Sequence, residues 1–139
     1  MKKIAIIGAG PIGCYTAKLL SEKGYNVTVF EEDKKIGLPV RCTGLLSQKI
    51  SFLDIPKEII LNELNKVKLI SKNNEIEIKL NRNELVICRE KFDKYLYNLA
   101  KEKGVKFHLG HKFKKCDKDK IIFENGFEFN ENSHCFSPK

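Results

Sequence analysis

The sequence predicts an α/β fold opening on a parallel βαβ unit of the Rossmann type, and three observations carry that expectation. Residues 3–7 (Lys-Ile-Ala-Ile-Ile) form a short apolar run of the kind buried in a parallel sheet. Directly after it, Gly8-Ala9-Gly10-Pro11-Ile12-Gly13 reads G-x-G-x-x-G at the point where a strand hands over to a helix. Glu31 then closes a second apolar run about twenty residues on, the position from which a carboxylate reaches a ribose.

The elements follow in order. Residues 11–23 place Ile12, Tyr15, Thr16, Leu19 and Leu20 on one helical face, with Lys18, Glu22 and Lys23 opposite. Pro11 suits the first turn, where its missing N–H costs nothing, and Gly24 suits the left-handed position that ends a helix. Residues 26–31 (Asn-Val-Thr-Val-Phe-Glu) complete the βαβ unit as a strand. Residues 32–65 are less regular, with short helices expected around 45–50 and 57–64. Residues 66–71 and 75–80 alternate apolar and polar side chains around Lys72-Asn73-Asn74, which predicts a hairpin, and 84–88 extends it as a third strand. Residues 90–103 are the second helix, with Phe92, Tyr95, Leu96, Leu99 and Ala100 on one face and Gly104 at its end. A strand at 105–109 and a hairpin of 119–124 with 127–130, turning at Asn125-Gly126, finish the pattern.

Composition narrows the function classes. A chain of 139 residues that is 42% apolar suits one domain and can bury a core, so the whole is read as a single domain spanning 1–139. Gly8, Gly10, Pro11 and Gly13 break the apolar stretch behind Met1-Lys2-Lys3, so it is not a secretory signal. Five cysteines without a C-x-x-C pair make neither a disulfide framework nor a zinc ribbon. The expectation is a reduced, soluble, cytoplasmic protein. The net charge of +8 comes from lysines spread along the chain, with only Arg41, Arg82 and Arg89 as arginines. Nucleic-acid binders cluster their cations on one face; only 111–120 approaches a cluster, and two aspartates interrupt it. The surplus still suits an anionic ligand or a membrane surface bearing acidic lipids. His108 and His111 lack a third ligand, so no metal site is expected.

The glycine turn has a defined chemistry. Gly8 permits the tight turn, Gly10 lets a pyrophosphate approach the backbone, and Gly13 lets the helix pack close to the strand. Free N–H groups at the helix start, with a partial charge of about +0.5, favour that pyrophosphate. Glu31 accepts from ribose hydroxyls and repels a 2′-phosphate, which disfavours NADP at this site. FAD and NAD share the ADP half, so these residues alone leave the two open.

A further segment decides between them. Gly37-Leu38-Pro39-Val40-Arg41-Cys42-Thr43-Gly44-Leu45-Leu46-Ser47, with Cys88-Arg89-Glu90-Lys91-Phe92-Asp93-Lys94-Tyr95-Leu96 and the glycine turn, resembles the geranylgeranyl reductase family of FAD-dependent oxidoreductases. The likeness is greatest to the digeranylgeranylglycerophospholipid reductases and runs from about residue 3 to 124. It implies a Rossmann-like FAD-binding domain with inserted antiparallel strands at 66–88. Gly8, Gly10, Ile12 and Gly13 would line the pyrophosphate, and Glu31 would hold the adenosine ribose. Arg41, Cys42, Thr43 and Gly44 would sit beside the flavin, Arg89 would contact the cofactor, and the backbone near Phe113 would meet the adenine side. It names no catalytic residue: the acid that protonates the second alkene carbon is left unassigned. Arg41 also reads as a surface arginine, and Arg89 as a helix-end partner of Glu90 or Asp93. Cys42 reads as a packing residue, a flavin neighbour or a reactive thiol; Cys14, Cys88, Cys116 and Cys135 read as core-packing residues or as residues without a role.

The resemblance further implies reduction of isoprenoid C=C bonds in membrane lipids or prenyl precursors. The partners would be that lipid, a reductant such as ferredoxin or NAD(P)H, and a peripheral membrane contact, with no nucleic acid. Family members run to several hundred residues, and 131–139 matches nothing expected there. The expectation is therefore a truncated domain with a non-family tail at 131–139 and weak or no FAD retention by this chain alone. Three alternatives stay open at this point: a non-catalytic or vestigial dinucleotide-binding module, a fragment of a flavin monooxygenase, and a basic nucleic-acid binder.

Overall fold

The computed structural model describes residues 2–117, 120–130 and 134–136. In chain order the elements are β1 (Lys3–Ile7), α1 (Pro11–Glu22), β2 (Asn26–Glu31), β3 (Leu45–Ser47), β4 (Ile60–Ile70), β5 (Glu75–Ile87), α2 (Arg89–Glu102), β6 (Lys106–Leu109), β7 (Phe113–Asp117), β8 (Lys120–Phe123), β9 (Glu128–Asn130) and β10 (His134–Phe136). Two 3-10 turns, Gln48–Leu53 and Lys57–Ile59, lie between β3 and β4. The chain divides into two compact units, residues 1–38 with 93–139, and residues 39–92.

The first unit holds a four-stranded parallel sheet in the order β10-β1-β2-β6. Ile4, Ala5 and Ile6 of β1 and Val27, Val29 and Phe30 of β2 are buried, as strands of a sheet covered on both faces must be. α1 packs its small residues inward. Gly13, Cys14 and Ala17 are buried, whereas Ile12 is 73% exposed and Leu19 39% exposed. The apolar face expected from periodicity is therefore turned by about one position. A helix that must lie close to its strand presents small side chains there, and the larger apolar ones are displaced outward.

A second, antiparallel sheet in the order β7-β8-β9 belongs to the same unit. Ile121 and Phe123 of β8 join Ala5 and Phe30 in one buried cluster, with Ile7, Phe113 and Phe129 packed against it. The 119–124/127–130 hairpin is present as β8 and β9, with Gly126 at φ +81° in its turn. β7 is an element the sequence reading missed, because Lys114, Lys115 and Cys116 break any apolar run.

The described part of the tail, β10, adds a strand to the parallel sheet. Ile4, Ala5 and Ile6 pair in parallel with His134, Cys135 and Phe136. A three-residue segment carries no periodicity of its own, and the open edge of β1 supplies its partner. Residues 131–133 and 137–139 lie outside the described residues.

The second unit is a three-stranded antiparallel sheet in the order β3-β5-β4. The short helices expected at 45–50 and 57–64 survive only in part, as the 3-10 turns Gln48–Leu53 and Lys57–Ile59: Leu45–Ser47 pairs with β5 instead, and the chain from Ile60 onward is strand β4. Long-range ladder pairing overrides the local helical spacing of Ile59, Ile60 and Leu64. The hairpin is longer than predicted, but its ladder breaks where the sequence pattern breaks. Leu64 pairs with Glu84 and Lys66 with Lys79, so residues 80–83 stand opposite Asn65 alone.

Candidate functional site

The first unit builds its site where β1 meets α1. Gly8 adopts φ +102°, open to glycine alone among common residues, and its N–H donates to Phe30 O at 2.7 Å. A Cβ on Gly13 would collide with the carbonyl oxygen of Gly8, so the helix lies against the turn as closely as its backbone allows. At Gly8 and Gly10 the space a Cβ would take is open. Gly10 is the N-cap of α1, Pro11 opens the helix, and no side chain caps the first N–H groups. The result is a backbone cradle with unfilled space at its two outer glycines and a helix N-terminus behind it, which fits a pyrophosphate.

Glu31 ties this cradle together. One carboxylate oxygen accepts from the Ala9 N–H at 2.6 Å and the other from the Asp33 N–H at 2.9 Å. The Glu31 backbone carbonyl accepts from the His111 N–H at 2.7 Å. Each carboxylate oxygen keeps a further lone pair for a hydroxyl. The sequence located Glu31; the grip on Ala9 and Asp33 was not legible there, because backbone donors carry no residue signature. The order β10-β1-β2-β6 adds a second signal. Sequence order reverses at β1, and the carboxyl end of the strand at that switch point is where open α/β sheets take their ligands.

Cys14 is spent on packing. It is fully buried, its thiol donates to Ala9 O at 3.1 Å, and burial, with Asp93 and Glu31 nearby, pushes its pKa up to about 12. Phe113 packs on the Phe30 cluster. His108 stacks on Phe30 at 5.0 Å and lies 5.6 Å from the His111 ring. Among the described residues no group of three or more His, Cys, Asp or Glu side chains could hold a metal ion.

In the second unit, the segment 41–44 and Arg89 come together. Gly44 is buried at φ +76°, its carbonyl accepts from the Ile87 N–H at 2.8 Å, and a Cβ there would strike Ile87 O and lie 3.4 Å from Arg89 Cγ. Glycine is required at this position. Cys42 is exposed. The Gly44 backbone N–H, and then the Arg89 guanidinium and Thr43 hydroxyl, hold its thiol below the ordinary cysteine value. Arg41 and Thr43 are exposed. Of the packing roles expected for the other cysteines, Cys116 is exposed and Cys88 half-buried.

Fold and site together define a Rossmann-like dinucleotide-binding domain, and residues 6–45 match the NAD(P)-binding Rossmann-like domain family. Several of its homologues among curated proteins are digeranylgeranylglycerophospholipid reductases, as the motifs around Arg41 and Arg89 implied. The reductase of Methanoculleus marisnigri is 33% identical over 108 residues, 73% of this chain and 27% of the relative. That of Methanocella arvoryzae is 28% identical over 130 residues, 88% of this chain and 32% of the relative. The chain thus spans about a third or less of these relatives' length. A geranylgeranyl bacteriochlorophyll reductase-like structure from Thermoplasma acidophilum superposes with a TM-score of 0.72 at 22% identity, covering 99% of this chain and 37% of that one. The halogenase PltM, solved in complex with phloroglucinol and FAD, superposes at 0.73 with 14% identity, covering 99% and 34%.

Proposed function

We propose that this chain is the FAD-binding domain of a flavin-dependent reductase that saturates isoprenoid double bonds of membrane lipids or prenyl precursors. The observation that carries the reading is the glycine cradle held by Glu31, in a chain whose homologues include digeranylgeranylglycerophospholipid reductases. The backbone at Gly8, Gly10, Ile12 and Gly13 binds the pyrophosphate, with α1 directing its positive end at the charge. Glu31 accepts from the adenosine ribose and rejects a 2′-phosphate. The backbone near Phe113 serves the adenine. In the second unit, Arg41, Cys42, Thr43 and Gly44 serve the flavin side, and Arg89 offers a fixed cation to it. When bound, the flavin supplies hydride-transfer chemistry, and the protein binds and orients it.

The partners of this reading are an isoprenoid lipid, an electron donor such as ferredoxin or NAD(P)H, and a peripheral contact with a membrane, in the cytoplasm. No helix among the described residues is long and apolar enough to cross a membrane. The test is a titration of the chain with FAD, ADP and 2′-phospho-ADP, followed by incubation with dithionite-reduced FAD and a geranylgeranyl lipid. The expected results are weak binding of FAD, binding of ADP, rejection of the 2′-phosphate, and a mass gain of two hydrogens per double bond saturated. Equal affinity for the 2′-phosphorylated ligand would overturn the ribose assignment. Dinucleotide binding without any saturation would leave a non-catalytic nucleotide-binding module instead.

A further inference from the structure

The turn that follows β6 holds the two residues that set the Glu31 carboxylate in place. Consecutive amides do this: the Gly110 N–H donates to Asp33 O at 3.2 Å and the His111 N–H to Glu31 O at 2.7 Å. Asp33 in turn donates its own amide to the Glu31 carboxylate at 2.9 Å. The bend passes through Gly110 at φ +74°, where glycine has the most freedom to move, so its shape depends on what ties its two ends. A side chain provides that tie. His111 Nδ1 lies 2.9 Å from Leu109 O. A carbonyl has no proton to give, so Nδ1 carries the hydrogen and donates across the bend.

The imidazole is anchored from outside the turn as well. Its ring meets Phe30 of β2 at 6.1 Å, Phe123 of β8 at 5.6 Å and Phe127 of the β8–β9 turn at 4.9 Å, edge-on to each. Phe30 and Phe123 are buried, so the ring is fixed to the core on one side and to the Leu109 carbonyl on the other. An apolar ring would fill the same space among three phenylalanines without a polar atom to satisfy. Packing therefore accounts for the ring but not for its nitrogen.

We propose that His111 is a positioning residue for nucleotide binding: its Nδ1–H bond to Leu109 O keeps the 110–111 amides on Asp33 and Glu31 and so fixes the carboxylate that meets the ribose. The inference rests on the dinucleotide reading of the glycine cradle. The test titrates the 139-residue chain with ADP and with 2′,3′-dideoxy-ADP, followed by amide NMR shifts. The unsubstituted chain should prefer ADP; equal affinities would remove Glu31 from ribose binding and this inference with it. His111→Phe keeps a ring among the phenylalanines and loses the donor. It should weaken ADP about fivefold, the size of one lost hydrogen bond, and leave dideoxy-ADP within about twofold. His111→Asn loses the ring but places an amide N–H where Nδ1 stood. It should unfold at a lower temperature yet keep ADP affinity within about twofold. In the ligand-free chain the Ala9 amide proton, which reports its bond to the Glu31 carboxylate, should move upfield in His111→Phe and return in His111→Asn. A ring that only fills space gives the opposite order, with ADP affinity held in His111→Phe and lost in His111→Asn, and that result would overturn the proposal. Equal weakening of both ligands in His111→Phe would overturn it too, while a preference for ADP in the unsubstituted chain would leave the ribose role of Glu31 standing.

Discussion

The Glu31 carboxylate grips the Ala9 amide at 2.6 Å, joining the end of β2 to the glycine turn across 22 residues of chain. The same carboxylate takes the Asp33 amide at 2.9 Å, so the acidic side chain organises the turn as well as offering lone pairs beyond it. Two roles on one side chain give a separable test. Glu31→Ala should lower stability by about 1–3 kcal/mol, because a charge-assisted acceptor is lost and two amides are left unpaired. Glu31→Gln should recover much of that stability and little of the ribose affinity. Urea unfolding and ADP titration of both variants would check this; equal loss of stability in the two would remove the organising role.

The outer and inner glycines of the turn should behave oppositely. Gly10→Ala puts a methyl into open space at an ordinary φ of −69°, so the fold should survive while pyrophosphate access is blocked. Gly13→Ala drives a methyl into the Gly8 carbonyl and should cost about 1–3 kcal/mol as overpacking. Thermal unfolding paired with FAD titration distinguishes a binding defect from a folding defect.

Thiol reactivity should separate Cys42 from Cys14. Cys42 is exposed and its thiolate is favoured by Gly44 N–H and Arg89, whereas Cys14 is buried with a pKa near 12. Iodoacetamide on the native chain near neutral pH should label Cys42 and leave Cys14 until denaturant is added. Arg89→Met should slow labelling of Cys42. Mass mapping of the alkylated peptides reads the result, and fast native labelling of Cys14 would contradict its burial.

Stability should fall on acidification through His108. Burial beside Phe30, with His111 and Lys106 adding like charge, lowers its pKa below the ordinary 6.5. The unfolded chain then binds the proton first. This stabilisation is complete above 6.5 and is lost as pH falls from there toward the lower folded value. Urea midpoints measured across that window should drop, and His108→Phe should flatten the drop. An unchanged slope in that variant would assign the effect to other groups.

Much of the site was legible in residues because its parts are sequence-local. A glycine needed for φ +102° at position 8, a glycine needed for contact at position 13 and an acid at the end of the next apolar run leave their marks in order along the chain. The resemblance grouped the Arg41–Gly44 segment with Arg89, and the structure sets Gly44 against Ile87 and Arg89, where a larger residue would collide.

What the sequence by itself determined is the βαβ start, the two helices, the turn positions and the dinucleotide chemistry, since each is encoded within a few residues by periodicity or backbone permission. Tertiary structure alone decided the rest. The inward face of α1 follows the demand for close packing, and β3 and β4 displaced expected helices because strands far along the chain supplied their hydrogen bonds. β10 exists because β1 had an open edge, and residues 80–83 stand opposite Asn65 alone because two stretches of ladder fell out of register. Each depends on a partner distant in sequence, and no local pattern of side chains reports such a partner.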